Sequence, residues 1–197
     1  MDNNEYKKYV DILTQRLSEY RLRHSLEVAK SAKHLAEKYG GDSEKMYLAG
    51  LLHDILKEAE KDEIFSLCEK YAIELTPLEK NAKKLWHAVV GAEYIKNELK
   101  IDDGEIISAV RYHTTGRKNM TLSDKILFIA DFISADRDYD GVDIMREKAE
   151  ISLEDAMLEG LSFTIIELAE KQSAIHPDTI DAYNDTVEYI SKKKGLI

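Results

Sequence analysis

The sequence has little with which to cross-link, kink or tightly turn a chain: of 197 residues one is cysteine, two are proline and nine are glycine. A lone thiol, Cys68, cannot close an internal disulfide, so a bridged secreted scaffold is excluded and a reducing compartment is expected. Cys68 sits in Ile64-Phe65-Ser66-Leu67-Cys68 and is read as a packing residue. So few turn formers disfavour a sandwich or barrel and favour helices. Apolar runs of the roughly 18 residues a membrane span needs are missing, and Met1 to Lys8 has no signal-type apolar core, so the chain is expected to be cytoplasmic. Basic excess is missing too. A net charge of -10 argues against nucleic acid and anionic membrane as partners. An anionic small molecule is still compatible, provided the chain builds a local positive site.

What is present is a globular composition, 44% hydrophobic and 34% charged, of a length suited to one domain over 1–197. Apolar residues recur at helical spacing nearly throughout. Tyr6, Tyr9, Val10, Leu13 and Leu17 mark a first helix, and a second begins near Ser18, buries Val28, Ala32, Leu35 and Tyr39, and stops at Gly40-Gly41. Asp42 caps a third, expected to run through His53-Asp54 to Lys57, and Ile64, Leu67, Cys68 and Tyr71 mark a fourth. Thr76-Pro77 opens a less regular stretch. Helices are then expected over Leu85 to Leu99, from Asp103 to a closure at Thr114-Thr115-Gly116, and after the capping box Thr121-Leu122-Ser123-Asp124 through Ile133. Ser134 to Gly141 reads as a loop. Two helices, Ser152 to about Lys171 and about Pro177 to Lys193, form a closing hairpin around the Ser173 to Thr179 connection.

Polar residues interrupt these apolar faces at a few positions. In Leu51-Leu52-His53-Asp54-Ile55-Leu56-Lys57, a buried carboxylate needs an ion pair, hydrogen bonds or a metal. If the segment is helical, Lys57 shares a side with both His53 and Asp54. His24 extends the stripe of Val28 and Ala32, with Arg21 three residues earlier on the same face. His87 stands in Leu85-Trp86-His87-Ala88-Val89, His113 lies a turn beyond Val110, and Asp131 interrupts Ile126 to Ile133. A single histidine on an apolar face is usually a hydrogen-bonded core residue. Four histidines and two aspartates on five helices instead point to one metal centre, and their imidazole and carboxylate donors suit iron, manganese or zinc rather than calcium. Six ligands exceed what one tetrahedral zinc uses, so either the ion is octahedral or two ions share Asp54. His34 points elsewhere on its helix, Trp86 is read as packing rather than as a platform for a base, and His176 as a loop residue.

These residues carry a resemblance to the HD superfamily of metal-dependent phosphohydrolases. Its ordered signature of His, His-Asp and Asp is matched by His24, His53-Asp54 and Asp131, and its dinuclear branch adds histidines where this chain has His87 and His113. More narrowly, Arg21-x-x-His24, His53-Asp54-x-x-Lys57, His113-Thr114-Thr115-Gly116, Ala130-Asp131-Phe132-Ile133 with Arg137, and Ile175-His176-Pro177 followed by Ala182-Tyr183-Asn184 resemble the YqeK-type symmetrical bis(5'-nucleosyl)-tetraphosphatases. The similarity spans about residues 18 to 190. It departs from that pattern at Ser134-Ala135-Asp136, where Glu-Pro-Asn more often precedes the arginine.

The resemblance implies an all-α, single-domain HD-type bundle around a buried metal centre, with a motif-bearing core over about 18–140 completed by helices over about 152–193. It implies hydrolysis of diadenosine tetraphosphate to two ADP by an activated water, without a protein nucleophile, and one or two iron ions, with manganese or zinc as alternatives. His24, His53, Asp54, His87, His113 and Asp131 would be ligands, His87 and His113 facing a second metal or the phosphate. Asp54, Lys57, His87 and His113 would serve catalysis, and Arg21, Lys57 and Arg137 would clamp phosphates, arginine suiting bidentate contact. Thr114 and the loop carrying Ile175, Pro177 and Thr179 would border the nucleotide, and a homodimer is compatible. Two other readings compete: an HD enzyme acting on nucleoside monophosphates, deoxynucleoside triphosphates or guanosine alarmones, and a catalytically idle nucleotide sensor. Six ligand-type residues together with Lys57 weigh against the sensor.

Overall fold

The computed structural model describes residues 3–196, with side chains from Tyr6 onward, so Met1, Asp2 and Ile197 at the ends of the expected domain lie outside the described residues. These fold into eleven helices without a strand. In chain order they are α1 (Asn3–Arg16), α2 (Glu19–Tyr39), α3 (Ser43–Leu52), α4 (Lys61–Tyr71), α5 (Pro77–Asn81), α6 (Lys83–Asn97), α7 (Gly104–Tyr112), α8 (Leu122–Ile133), α9 (Val142–Ile151), α10 (Leu153–Glu170) and α11 (Pro177–Lys193).

Helix starts follow their caps. Asp42 accepts from the backbone amides of Glu44 and Lys45, Asp103 from those of Glu105 and Ile106, and Thr121 and Asp124 form a reciprocal capping box. Gly40 ends α2 at φ +79°, a left-handed position where a side chain would be strained. The centre of the molecule is the packing of α2 against α3 and α8, with α7 against α3 and α8. Leu35, Met46, Leu52, Ile126 and Phe128 are buried there. The α2–α3 approach is close enough that a Cβ on Gly50 would stand 2.7 Å from the Cα of Ala29. α9, α10 and α11 pack as an outer layer, α10 against α8.

The helices expected from periodicity are present, and three local readings need correction. First, α3 ends at Leu52, so His53, Asp54 and Lys57 lie on a run of turns, not on a continuing helix. The His53 imidazole Nδ1 donates to the Gly50 carbonyl at 2.7 Å, while Ile55, Lys57 and Ala59 amides bond three residues back. Those tighter bonds replace the helical ladder. Second, the supposedly irregular segment after Thr76 is α5, with a full capping box between Thr76 and Glu79 and proline at its first position. Third, α9 follows the Ser134 to Gly141 loop directly, burying Val142, Met145 and Ala149.

Candidate metal centre

Five segments deliver the six candidate ligands to one buried place. α2 brings His24, the end of α3 brings His53 and Asp54, α6 brings His87, the end of α7 brings His113, and α8 brings Asp131. All four imidazoles and Asp54 are buried. Asp54 is the hub. Its Oδ1 lies 3.1 Å from His87 Nε2 and 3.7 Å from His113 Nε2, and its Oδ2 lies 3.5 Å from His53 Nε2. His24 Nε2 is 3.0 Å from Asp131 Oδ1, and the Nε2 atoms of His87 and His113 are 3.2 Å apart.

Backbone carbonyls and one carboxylate orient the rings. His53 donates from Nδ1 to Gly50 and His113 from Nδ1 to Val110, both at 2.7 Å and both to the residue three before, at a helix C-terminus. His24 Nδ1 meets Asp136 Oδ2 at 2.8 Å. A ring that donates from Nδ1 keeps its Nε2 lone pair for a metal, and these partners hold the lone pairs toward the centre.

The electrostatics favour ligand-ready protonation states at His53, His87, Asp54 and Asp131. Burial pushes His53 down to about 3 and His87 down to about 4, so both rings are neutral near pH 7. Burial alone would raise Asp54, but the His53, His113 and His87 imidazoles hold it well below the usual carboxylate range. For Asp131 burial is likewise outweighed, by the His24 contact and by Arg137. His24 is raised: burial opposes this, and its bond to Asp131 prevails.

The decisive observation concerns one atom. His53 Nε2 is fully buried and has no hydrogen-bond partner, an expensive state for an imidazole nitrogen unless something else occupies its lone pair. It belongs to two donor sets, His24/His53/Asp131 and His53/Asp54/His113, whose ligand atoms in each set lie within 4.8 Å of one another. Mixed imidazole nitrogen and carboxylate oxygen donors fit a divalent metal.

The HD-domain model matches residues 21–136, the stretch that carries all six candidate ligands. The chain belongs to the HD-domain family. It is 37% identical to the symmetrical bis(5'-nucleosyl)-tetraphosphatase of Bacillus subtilis over 86% of this chain and 91% of that one. It is also 37% identical to the protein of the same name from Halalkalibacterium halodurans, over 90% and 94% of the two chains. A crystal structure from Clostridium acetobutylicum, described as a predicted HD superfamily hydrolase involved in NAD metabolism, superposes with a TM-score of 0.90 at 36% identity, over 93% of this chain and 97% of that one.

In this HD domain the cationic residues stand at the open side of the centre. Lys57 Nζ is 3.2 Å from Asp54 Oδ1 and 3.1 Å from His87 Nε2, and Arg21 Nη1 is 3.5 Å from Asp54 Oδ2. Arg137 returns from its loop onto Asp131, with Nε donating to the Asp131 carbonyl at 2.8 Å and Nη2 to its carboxylate. Beside His113, Thr114 and Thr179 line a cavity of about 680 Å³, which Ala174 and His176 also line but Ile175 and Pro177 do not. Pro177 is exposed at the start of α11. His176 caps that helix, accepting from the Asp178 amide at 3.2 Å, in keeping with its reading as a loop residue.

Sequence reasoning missed Asp136 as the partner of His24. Its side chain is 3% exposed, yet it sits in a loop whose local sequence carries no periodic signal. A polar residue ten before Arg146, which ties down the carbonyls of Ser134 and Arg137, gave no hint of which side chain the loop would place inward. Trp86 and Cys68 are packed as expected, Trp86 edge-on to Phe65 with Nε1 donating to the Glu79 carbonyl at 2.7 Å.

Proposed function

We propose that this enzyme hydrolyses diadenosine tetraphosphate and related dinucleoside polyphosphates symmetrically, giving two ADP. The observation that carries the reading is Asp54. One buried carboxylate gathers three imidazoles and two cations, Oδ1 meeting His87, His113 and Lys57 and Oδ2 meeting His53 and Arg21, so a metal-type donor set and a phosphate-type cation set share one residue. The 37% identity to proteins named for this reaction, over most of both chains, supports the substrate.

In this reading His24, His53, Asp54 and Asp131 hold a divalent ion, and His87 and His113 face a second ion or the phosphate. We assign iron as the resident metal, which the mixed imidazole and carboxylate donors support. When bound, such an ion supplies Lewis-acid charge and lowers the pKa of water toward neutrality. The chain's own residues do the rest. Lys57 and Arg21 neutralise charge on the phosphoryl oxygens, and Arg137 holds Asp131 in place from the other side. Neutral His87, next to Lys57, accepts or passes a proton at Nε2. Water adds to a phosphorus next to the central bridging oxygen, the bond to that oxygen breaks, and ADP leaves from each side.

Thr114 and Thr179 border the nucleotide in the larger cavity, with Ile175 and Pro177 shaping the loop behind it. We take the described helices as one domain, and a buried unpaired cysteine as compatible with the cytoplasm. None of the described helices is long and apolar enough to cross a membrane. Chromatography of the products made by the metal-loaded protein tests the reading: two ADP are expected, whereas AMP with ATP, or faster cleavage of a nucleoside monophosphate, would refute it. Elemental analysis of protein purified without added metal tests the iron assignment.

A further inference from the structure

Two cavities share the pair Lys83 and Lys84, and one of them opens on the centre. The larger, about 680 Å³, is lined by Thr114 and Thr115, the residues after His113. The smaller, about 370 Å³, is walled by Lys57 and His87 themselves, with Leu56, Ala59, Ile64 and Trp86 completing an apolar lining. His87 Nε2 stands 3.2 Å from His113 Nε2, so the smaller cavity opens directly on the candidate ligands, while the larger runs past Thr114 and Thr115 just after His113. Lys83 and Lys84 line both and so form the ridge between them. Both lysines are exposed, and neither has an acidic partner among the described residues, although the chain carries ten more acidic than basic side chains.

We infer that the smaller cavity binds the second nucleoside of a dinucleoside polyphosphate, with Lys83 and Lys84 holding the phosphate chain as it crosses from one cavity to the other. This deepens the function proposed above and rests on it. The chemistry of each part matches. A substrate built as nucleoside, polyphosphate, nucleoside presents two apolar faces separated by a run of negative charge, and here two cavities are separated by two unpaired cations. A volume of about 370 Å³ lies within the ordinary range of roughly 300 to 1,000 Å³ for small-molecule sites. The buried indole of Trp86, packed edge-on to Phe65, forms part of the apolar wall and would sense a group entering the cavity. A mononucleotide substrate would leave this cavity and half of the ridge without a role, so the cavity also selects for the doubled molecule.

Trp86 is the only tryptophan in the chain, which makes its emission a direct reporter of the smaller cavity. The metal-loaded protein is titrated with a non-hydrolysable methylene-bridged analogue of diadenosine tetraphosphate and, separately, with ADP, and the KM for diadenosine tetraphosphate is measured in Ala59→Leu, which fills the cavity from its rim. The analogue is expected to change Trp86 emission at concentrations where ADP already inhibits without doing so. Ala59→Leu is expected to raise KM by about tenfold or more while leaving inhibition by ADP unchanged. An emission that ignores the analogue, or an unaltered KM in Ala59→Leu, overturns the inference. Both results are separate from the products formed: two ADP with a silent Trp86 defeats the second subsite alone, whereas failure to yield two ADP defeats the underlying reading of function.

Discussion

Asp54 and Lys57 are three residues apart and do different work, so substitution separates them. Asp54→Ala removes the carboxylate that three imidazoles and two cations share, and is expected to abolish both bound metal and turnover. Lys57→Ala leaves every candidate ligand in place, and is expected to retain metal while turnover falls by about a hundredfold or more. Elemental analysis beside product chromatography distinguishes the two, and full activity in metal-free Asp54→Ala protein would defeat the mechanism. Asp136 acts one step further out, through His24. Asp136→Ala is expected to weaken metal binding by about 10- to 100-fold in chelator competition. Asp136→Asn should recover most of that affinity, because an amide oxygen still accepts the His24 Nδ1 proton. A purely structural role would show instead as lost thermal stability with metal affinity unchanged.

Among the elements, the α2–α3 crossing is the most demanding. Any side chain on Gly50 meets the backbone of Ala29 and Val28, which has no flexible end to move aside. Gly50→Ala should therefore destabilise by about 1–3 kcal/mol, read as a lower Tm, and should shift His53 and Asp54 at the end of the same helix. A second link joins α1, α2 and α3. Lys33 and Tyr6 both bond the Glu44 carboxylate, at 2.6 and 2.7 Å, and hold its pKa down at about 2, below its ordinary 4.5. Because the folded pKa is depressed, this contribution is present above about pH 4.5 and disappears as the pH falls toward 2. Glu44→Gln should accordingly flatten the loss of stability across that acid window, measured by urea unfolding at a series of pH values.

For the whole molecule, the candidate metal centre would act as a clasp as well as a reaction site. Its donors come from α2, α6, α8 and the ends of α3 and α7, so an ion bound only by the folded state draws those elements together. Chelation is expected to lower Tm by several degrees and readdition of a divalent ion to restore it, by calorimetry. An unchanged Tm after verified metal removal would show that the apolar packing of Leu35, Met46, Leu52 and Phe128 holds the bundle unaided.

The sequence by itself determined the helices with long apolar stripes and which residues are candidates for the centre. Local periodicity shows which face a segment will bury, and His24, His53, Asp54, His87, His113 and Asp131 were legible because each sits where that periodicity demands an apolar residue. Short elements were harder. Val142, Met145 and Ala149 give α9 a stripe of only three residues among charged neighbours, and the capping box of α5 lay in plain view at Thr76 and Glu79 but opened a helix of a single turn. Only the tertiary structure decided that His53 would leave its helix to bond Gly50, that Asp136 would turn inward onto His24, and that two cavities would share Lys83 and Lys84. The physical reason is that helical spacing encodes which residues share a face. Which faces meet, and what space they leave between them, depends on contacts between residues far apart in the chain.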